Sequence, residues 1–320
     1  MSDSRARTER PRQAWAELPD QRLYRVSGKD PYRFLHGQLT QSMDEITPGQ
    51  SRRGAVCTPK GRAYGLMMLS EYEGDYLLTM PAAVAEEATT QLSKFLMLFR
   101  GTDMAAPDEA RVFGLWGEET ALAVSDQART LTSAGDAVTL PGGKLLRVED
   151  ADGTPRYEFW SPEGHAPFEG AATATPADWA AAEIAAGVAH LTPGSVSQYV
   201  PQVLNWQHLE GIHFRKGCYT GQEVIARMHY LGQQKKSVFR LASSTAAQPP
   251  ATGTAIKAGN KPVGEVVNSV GFDDDTIEVL AVIKHSALQQ PDNWTLGDTD
   301  TVLARRPMAY TVPEHDPKAA

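Results

Sequence analysis

The order strand, strand, helix occurs twice in this chain, and this recurrence limits the folds that the chain can adopt. In the first copy, predicted strands over residues 62–72 and 76–80 precede a helix that opens at Pro81. In the second copy, predicted strands over residues 144–148 and 156–160 precede a helix over residues 177–186. Two such units predict an α+β body made of two halves with a cleft between them.

The pattern changes after Gly232. From there the predicted strands are short and are separated by turns rich in Pro, Gly and Asp, which is typical of a small β-barrel or sandwich. The sequence thus divides into four predicted regions. They are a flexible N-terminal tail over residues 1–16, a two-halved body over 17–232, a small β domain over 233–312 and a flexible tail over 313–320.

Charge and cysteine usage narrow the class of protein. A net charge of −8 in 320 residues argues against broad nucleic-acid binding, although a local basic patch remains open. Two cysteines, Cys57 and Cys218, form neither a disulfide framework nor a CxxC metal cluster, which favours a reducing compartment. No apolar run approaches the roughly 20 residues that span a bilayer. We therefore expect a cytoplasmic protein.

The stretch with the clearest chemical character is Lys-Gly-Cys-Tyr-Thr-Gly-Gln-Glu, residues 216–223. Thr220 and Glu223 have the spacing of a capping box and predict a helix that starts directly after them. Cys218 then precedes a helix N-terminus and follows two cations, Arg215 and Lys216. Both features favour the thiolate, so we expect ionisation below the free value of about 8.5. The alternative is a cysteine that only fills space in a loop.

Three other segments are weaker candidates. Residues 34–40 place His36 and Gln38 near a helix end, which suits capping as well as function. The turn over residues 58–62 carries Lys60 and Arg62, which suit an acidic ligand or simply a solvated hairpin turn. Trp179 could stack a flat ring or pack in a core.

No metal site is predicted. His208, His213 and Cys218 are spaced too widely for the usual ligand pairs of a closed zinc site. Spacing leaves open a single thiolate contact to an iron–sulfur cluster whose other ligands come from a partner.

Residues 216–223, continued by Val-Ile-Ala-Arg at 224–227, resemble the signature of the YgfZ family, folate-binding proteins of iron–sulfur cluster assembly and repair. The resemblance extends to residues 34–40 and 58–62, to Phe214 and to residues 230–232, and it covers the chain from about residue 20 to 310. The family is related to the T-protein of the glycine-cleavage system, an aminomethyltransferase. It implies a folate-binding body of two halves with a C-terminal β-barrel and tetrahydrofolate, or a one-carbon derivative, as cofactor.

The resemblance also implies roles for individual residues. Cys218 matches the signature cysteine and is the candidate reactive residue. The other motif positions are Lys216, Tyr219, Gln222, Glu223 and Arg227. Trp179 matches a tryptophan that contacts folate, and Lys60 and Arg62 would be available to the glutamate tail of that cofactor.

Three departures from the T-protein pattern change the expected activity. The acidic pair of the transferase corresponds to Tyr64 and Gly65, and neither can act as a base near neutral pH. A pterin-binding glutamate corresponds to Ala185, while Glu183 is predicted to face elsewhere, about 200° round the helix. A family tryptophan near the N-terminus corresponds to Gln21. Ordinary aminomethyl transfer is therefore not expected.

Two functions follow from the resemblance. The first is a folate-dependent accessory protein for iron–sulfur enzymes, including those of tRNA modification, in which Cys218 contacts a cluster, a persulfide or a one-carbon unit. The alternative is a tetrahydrofolate-dependent one-carbon transferase that acts on a small amine. Expected partners are folate and iron–sulfur client or assembly proteins. Stable nucleic-acid binding and membrane contact are not expected, and the chain is expected to be a monomer.

Overall fold

The computed structural model describes residues 5–232, 234–245, 247–289 and 294–313. The first half of the body contains a five-stranded antiparallel sheet with strand order β3-β4-β5-β2-β6. Its elements, with the first strand of the chain, are β1 (Ala14–Glu17), β2 (Gln21–Gly28), α1 (Pro31–Gln38), β3 (Arg52–Cys57), β4 (Ala63–Tyr72), β5 (Asp75–Pro81), α2 (Ala82–Leu96) and β6 (Thr102–Ala105). Helix α2 buries Val84, Ala85, Ala88 and Leu92, and this three- and four-residue spacing packs one face against the sheet.

The second half has the same number of strands. Its elements are β7 (Arg111–Trp116), α3 (Glu118–Val124), β8 (Ala137–Leu140), β9 (Gly143–Ala151), β10 (Thr154–Ser161) and α4 (Pro176–Ala186). The sheet order is β1-β7-β10-β9-β8, so the first strand of the chain joins the second half. A capping box between Thr175 and Asp178 starts α4, and Gly187 ends it in the left-handed conformation.

A closed six-stranded barrel follows α5 (Gln222–Tyr230), with strand order β11-β14-β13-β12-β15-β16. Its strands are β11 (Lys236–Ser243), β12 (Ala255–Ala258), β13 (Lys261–Gly271), β14 (Ile277–Lys284), β15 (Trp294–Leu296) and β16 (Val302–Arg306). Two five-stranded halves and a C-terminal barrel confirm the predicted fold class. Residue 233, where the barrel was predicted to start, lies outside the described residues. The boundary therefore stays a prediction between the end of α5 at Tyr230 and the start of β11 at Lys236.

The N-terminal segment differs from the sequence prediction. Ala6 is fully buried and forms a β-bridge with Phe272 of the barrel region. Arg10 pairs with Asp152 of the second half at 3.1 Å and with Glu278 of the barrel at 2.8 Å. A flexible tail through residue 16 is therefore wrong for residues 5–16, because their cations find carboxylates on two neighbouring units. The predicted C-terminal tail lies outside the described residues from 314 onward.

Helix α1 ends at Gln38, near the middle of the segment 34–40, which the sequence predicted to lie at a helix end. Leu39 turns into extended backbone, and Thr40 exchanges hydrogen bonds with Ala55 of β3 through its backbone N–H and its hydroxyl. This strand-like pairing competes with helix continuation. Among the described residues, no helix is long and apolar enough to cross a membrane.

Candidate functional site

Three segments that the sequence singled out meet at one surface, which we call the thiol surface: the end of α1, the turn over residues 58–62 and the stretch 216–223. A Cβ on Gly221 would lie 2.6 Å from the carbonyl oxygen of Thr58 and 3.1 Å from Cβ of Cys57. A Cβ on Gly61 would lie 2.8 Å from Cβ of Val224. Only glycine permits this approach, so the turn and the start of α5 are locked together.

Lys216 fastens the same stretch to α1. Its ammonium donates to the carbonyl oxygen of Leu39 at 2.7 Å and to that of His36, two carbonyls at the end of the helix. Such carbonyls lack intrahelical partners, and the helix dipole favours a cation there. Burial lowers the pKa of Lys216 to about 8. The charge of Lys216 therefore holds the 216–223 stretch on the end of α1. Arg215, in contrast, is exposed.

The two cysteines have opposite surroundings. Cys218 is exposed at the thiol surface, whereas Cys57 is buried on β3, where burial strongly raises the pKa of its thiol. Three residues lie between Cys218 and the first residue of α5, Gln222. An accessible thiol is what a reaction with an external partner requires.

The predicted capping box at Thr220 and Glu223 is wrong. The N-cap of α5 is Gly221, with φ of 87° and no side-chain cap, and Glu223 instead pairs with Arg227 at 3.0 Å one turn on. The tight packing of Gly221 on the 58–62 turn demands this left-handed residue, which shifts the helix start by one position.

Some of the other predicted site residues pack against the 216–223 stretch, and others are exposed to solvent. Tyr219 is buried under the ammonium of Lys216, which lies 4.9 Å from its ring centroid. Gln222 donates to the backbone carbonyl of Lys216 at 3.4 Å. Lys60 and Arg62 are exposed, and Arg62 donates to the carbonyl of Gln198. The stretch that carries the thiol is thus held in place by these contacts, and the turn that packs on Gly221 carries exposed cations.

A separate cavity of about 410 Å³, the central cavity, lies between the halves and the barrel. Gln21 and Pro81 come from the first half, Trp179 and Glu183 from α4, and Asn268 from the barrel. Among the described residues, its lining contains Trp179 but not Lys60, Arg62, Lys216 or Cys218. The predicted site residues therefore fall into two places.

Trp179 is largely enclosed. Only 4% of it is exposed, its ring meets Trp116 edge-on at 5.0 Å, and the guanidinium of Arg156 lies 4.5 Å from its centroid. It still contributes to the lining of the central cavity. The stacking role that the resemblance implies stays a prediction.

Glu183 was expected to face away from the ligand site, yet it lines the central cavity, while Ala185 is buried in a hydrophobic cluster. Its carboxylate accepts from Arg156 at 2.6 Å and contacts Nε2 of His190 at 2.7 Å. Burial alone would raise the pKa of Glu183, but these two partners hold it well below its usual range. Glu183 and Ala185 do point to different sides of α4, but the central cavity lies on the side of Glu183.

A narrow recess continues the central cavity and adds a second carboxylate, Glu158 of β10. Its Oε2 accepts from Nε1 of Trp160 at 2.6 Å. Burial, reinforced by the charge of Glu183, raises the pKa of Glu158 to about 7. Sequence reasoning missed this residue. The sequence offered one indication of it: a single acidic residue between Tyr157 and Phe159, in a strand whose second half is buried on both faces.

Tyr64 and Gly65, which the resemblance matches to the acidic pair of the transferase, lie on β4 among apolar neighbours. Tyr64 is buried in a hydrophobic cluster, and a Cβ on Gly65 would lie 2.7 Å from Val56 and 3.3 Å from Ala88. Within the described residues, no three His, Cys, Asp or Glu side chains are grouped so as to hold a metal ion.

No family model matches the chain. It is 29% identical over 311 residues to the tRNA-modifying protein YgfZ of Klebsiella pneumoniae, with 92% of each chain covered. It is 28% identical over 313 residues to the tRNA-modifying protein YgfZ of Yersinia enterocolitica, covering 93% of this chain and 92% of that protein. The predicted resemblance to YgfZ proteins is confirmed. It extends over nearly the whole length of both chains.

Among solved structures, the chain is similar to the glycine cleavage system aminomethyltransferase T from Bartonella henselae. The TM-score is 0.69 at 16% identity, with 93% of this chain and 86% of that chain covered. This likeness confirms the T-protein-like fold that the resemblance to YgfZ proteins implied.

Proposed function

We propose that this protein is a folate-binding accessory factor that supports iron–sulfur enzymes of tRNA modification through the thiol of Cys218. The observation that carries the proposal is an exposed cysteine held in a rigid junction of three segments. The YgfZ relatives are named tRNA-modifying proteins, which supports the process. The transferase's acidic pair is replaced by Tyr64 and Gly65, which removes the group that activates an amine in that reaction.

The residues of the central cavity fit a folate. Its volume of about 410 Å³ lies within the common range of about 300–1,000 Å³ for small-molecule sites. Leu18, Pro81, Ile184 and Val188 supply apolar walls, and Glu183 and Glu158 supply hydrogen-bond acceptors. A pterin ring presents ring and amino N–H groups, which buried carboxylates can bind. A bound folate would supply one-carbon chemistry, and the chain would orient it.

Calorimetric titration with tetrahydrofolate tests the cavity. We expect Glu183→Gln to weaken binding, and Glu119→Gln, a change at an exposed carboxylate on α3, to leave it unchanged. Equal affinity of the two variants for tetrahydrofolate would contradict folate binding in the central cavity. The thiol is tested separately, by complementation of a deletion strain with a Cys218 variant.

The three candidates for the reaction partner of Cys218 are an iron–sulfur cluster held by a client, a persulfide and a one-carbon unit. Each requires an accessible sulfur. Client enzymes purified from the deletion strain can be assayed for iron and labile sulfide. A role for Cys218 with a cluster or a persulfide predicts that both contents fall, whereas a role with a one-carbon unit does not.

Glu158 favours a second candidate function, one-carbon transfer to a small amine. With a pKa of about 7 it is poised to take or give a proton near neutral pH, a role that Tyr64 cannot fill. Turnover of labelled methylene-tetrahydrofolate with a panel of amines tests it. Product formation that Glu158→Gln abolishes would support this candidate, and absence of product at high protein concentration would end it.

A further inference from the structure

A second cavity of about 290 Å³, here called the barrel cavity, lies between α5 and the barrel. It is distinct from both the thiol surface and the central cavity. Its polar wall is formed by Gln202, Gln207, His208, His229, Gln234 and His285. Within the described residues, its lining contains no Asp, Glu, Lys or Arg. A cavity with this lining suits a neutral, polar ligand group.

The wall presents hydrogen-bond acceptors. The amide of Gln202 donates to the carbonyl of Ile225 at 2.8 Å, which fixes its orientation. The amide of Gln207 donates to Gln234 at 3.2 Å. The carboxamide oxygens of Gln202 and Gln207 accept no hydrogen bond from the described residues. Buried acceptors are normally satisfied, so a ligand group with N–H donors is favoured here.

Exposed aromatic rings lie at the edge of the cavity. His229 stacks on Phe214 with ring centroids 3.6 Å apart and planes 11° from parallel. Tyr230 meets His229 edge-on at 4.6 Å, and 62% of Tyr230 is exposed. Flat rings that remain accessible are stacking surfaces for unpaired nucleobases.

Three exposed lysines lie next in sequence to residues that line the same cavity. Lys235 and Lys236 lie between the lining residues Gln234 and Ser237, and Lys284 directly precedes the lining residue His285. Lys236 and Lys284 are opposite each other in the register of β11 and β14. Like charges at such positions destabilise a sheet. Among the described residues, none of the three lysines forms an ion pair, so they present positive charge on a chain of net charge −8.

We propose that the barrel cavity and its edge bind a single-stranded segment of RNA. One base enters the cavity and donates its amino group to the glutamine oxygens, a neighbouring base stacks at His229 and Tyr230, and the lysines bind phosphates. The choice of RNA rests in part on the proposed role in tRNA modification and deepens it, since the protein itself would contact the RNA. The net charge of −8 argued against broad nucleic-acid binding but left a local basic patch possible. The three lysines form such a patch.

Fluorescence anisotropy with the full-length protein and a short labelled single-stranded RNA tests this proposal. We expect Lys235→Ala with Lys236→Ala to weaken binding and to lower the slope of log affinity against log salt by about 1.4, since each single-strand phosphate contact contributes about 0.7. We expect His229→Ala to weaken binding by about tenfold, which is in the range for loss of one base stack. The matched control is Lys29→Ala with Lys94→Ala, two exposed lysines of the first half.

Several outcomes would overturn the RNA site. They are no binding by the wild type, equal losses in the control pair, equal affinity for double-stranded RNA or polyglutamate, and no effect of His229→Ala. Cys218→Ser is expected to bind RNA like the wild type. A protein that complements the deletion strain but binds no RNA would overturn this site and leave the proposed function standing.

Discussion

Glu158 and Glu183 line the same recess, and Glu183 contacts the guanidinium of Arg156 at 2.6 Å and Nε2 of His190 at 2.7 Å. Glu158 has the indole N–H of Trp160 at 2.6 Å and the charge of Glu183 nearby. One carboxylate is therefore held ionised, and the pKa of the other is raised to about 7. Pairs of acids whose environments separate their pKa values are typical of functional sites.

This pair gives a pH dependence of stability. Because the pKa of Glu158 is raised from 4.5 to about 7, the native state binds more protons than the unfolded state between these values. The free energy of unfolding contributed by Glu158 is present below about pH 4.5 and is lost as the pH rises through about 7, by about 3 kcal/mol. Glu158→Gln should remove this fall. Urea unfolding of both proteins across this range measures it, and identical pH profiles would contradict the buried carboxyl.

Lys216 should stabilise the fold as well as the motif. Lys216→Met leaves the carbonyls of His36 and Leu39 without their charged donor, and we expect a loss of about 2–3 kcal/mol in the free energy of unfolding. The exposed Lys60 is the matched control, for which Lys60→Met should change stability by less than about 0.5 kcal/mol. Comparable losses in the two variants would show that Lys216 does not anchor α1.

Gly221 and Gly74 both have φ of +87° but have different surroundings. A Cβ on Gly221 would lie 2.6 Å from the Thr58 carbonyl oxygen, while nothing lies within 4 Å of one on Gly74. Gly74→Ala should cost only the backbone strain, about 1–2 kcal/mol. Gly221→Ala should cost about 2 kcal/mol more from overpacking. Thermal or urea unfolding measures both, and equal losses would mean that the turn and α5 are not locked together.

The two thiols should differ strongly in reactivity. Iodoacetamide at neutral pH should alkylate Cys218 in the native protein and leave Cys57 unmodified until the protein unfolds. Peptide mass spectrometry after timed quenching measures both rates in one sample. Protection of Cys218 comparable to that of Cys57 would contradict an accessible thiol.

The sequence predicted the architecture well because hydrophobic periodicity and turn residues report local structure. It did not predict the contact of the three motifs, since residues 36, 58 and 221 are distant in the chain. Glu158 and the cavity-facing side of Glu183 could not be found, because which face of a strand or helix borders a cavity depends on packing between units. The N-terminal prediction failed for the same reason. Arg10 is polar in sequence, and only the fold supplies Asp152 and Glu278 as its partners.

The proposed function depends most on Cys218, and one measurement tests that dependence directly. A deletion strain carries the wild type, Cys218→Ser or Cys57→Ser at matched expression, and mass spectrometry quantifies its thiolated tRNA nucleosides. We expect Cys57→Ser to restore the modification and Cys218→Ser to leave it near the level of the deletion strain. Full restoration by Cys218→Ser would contradict the proposed role of the exposed thiol.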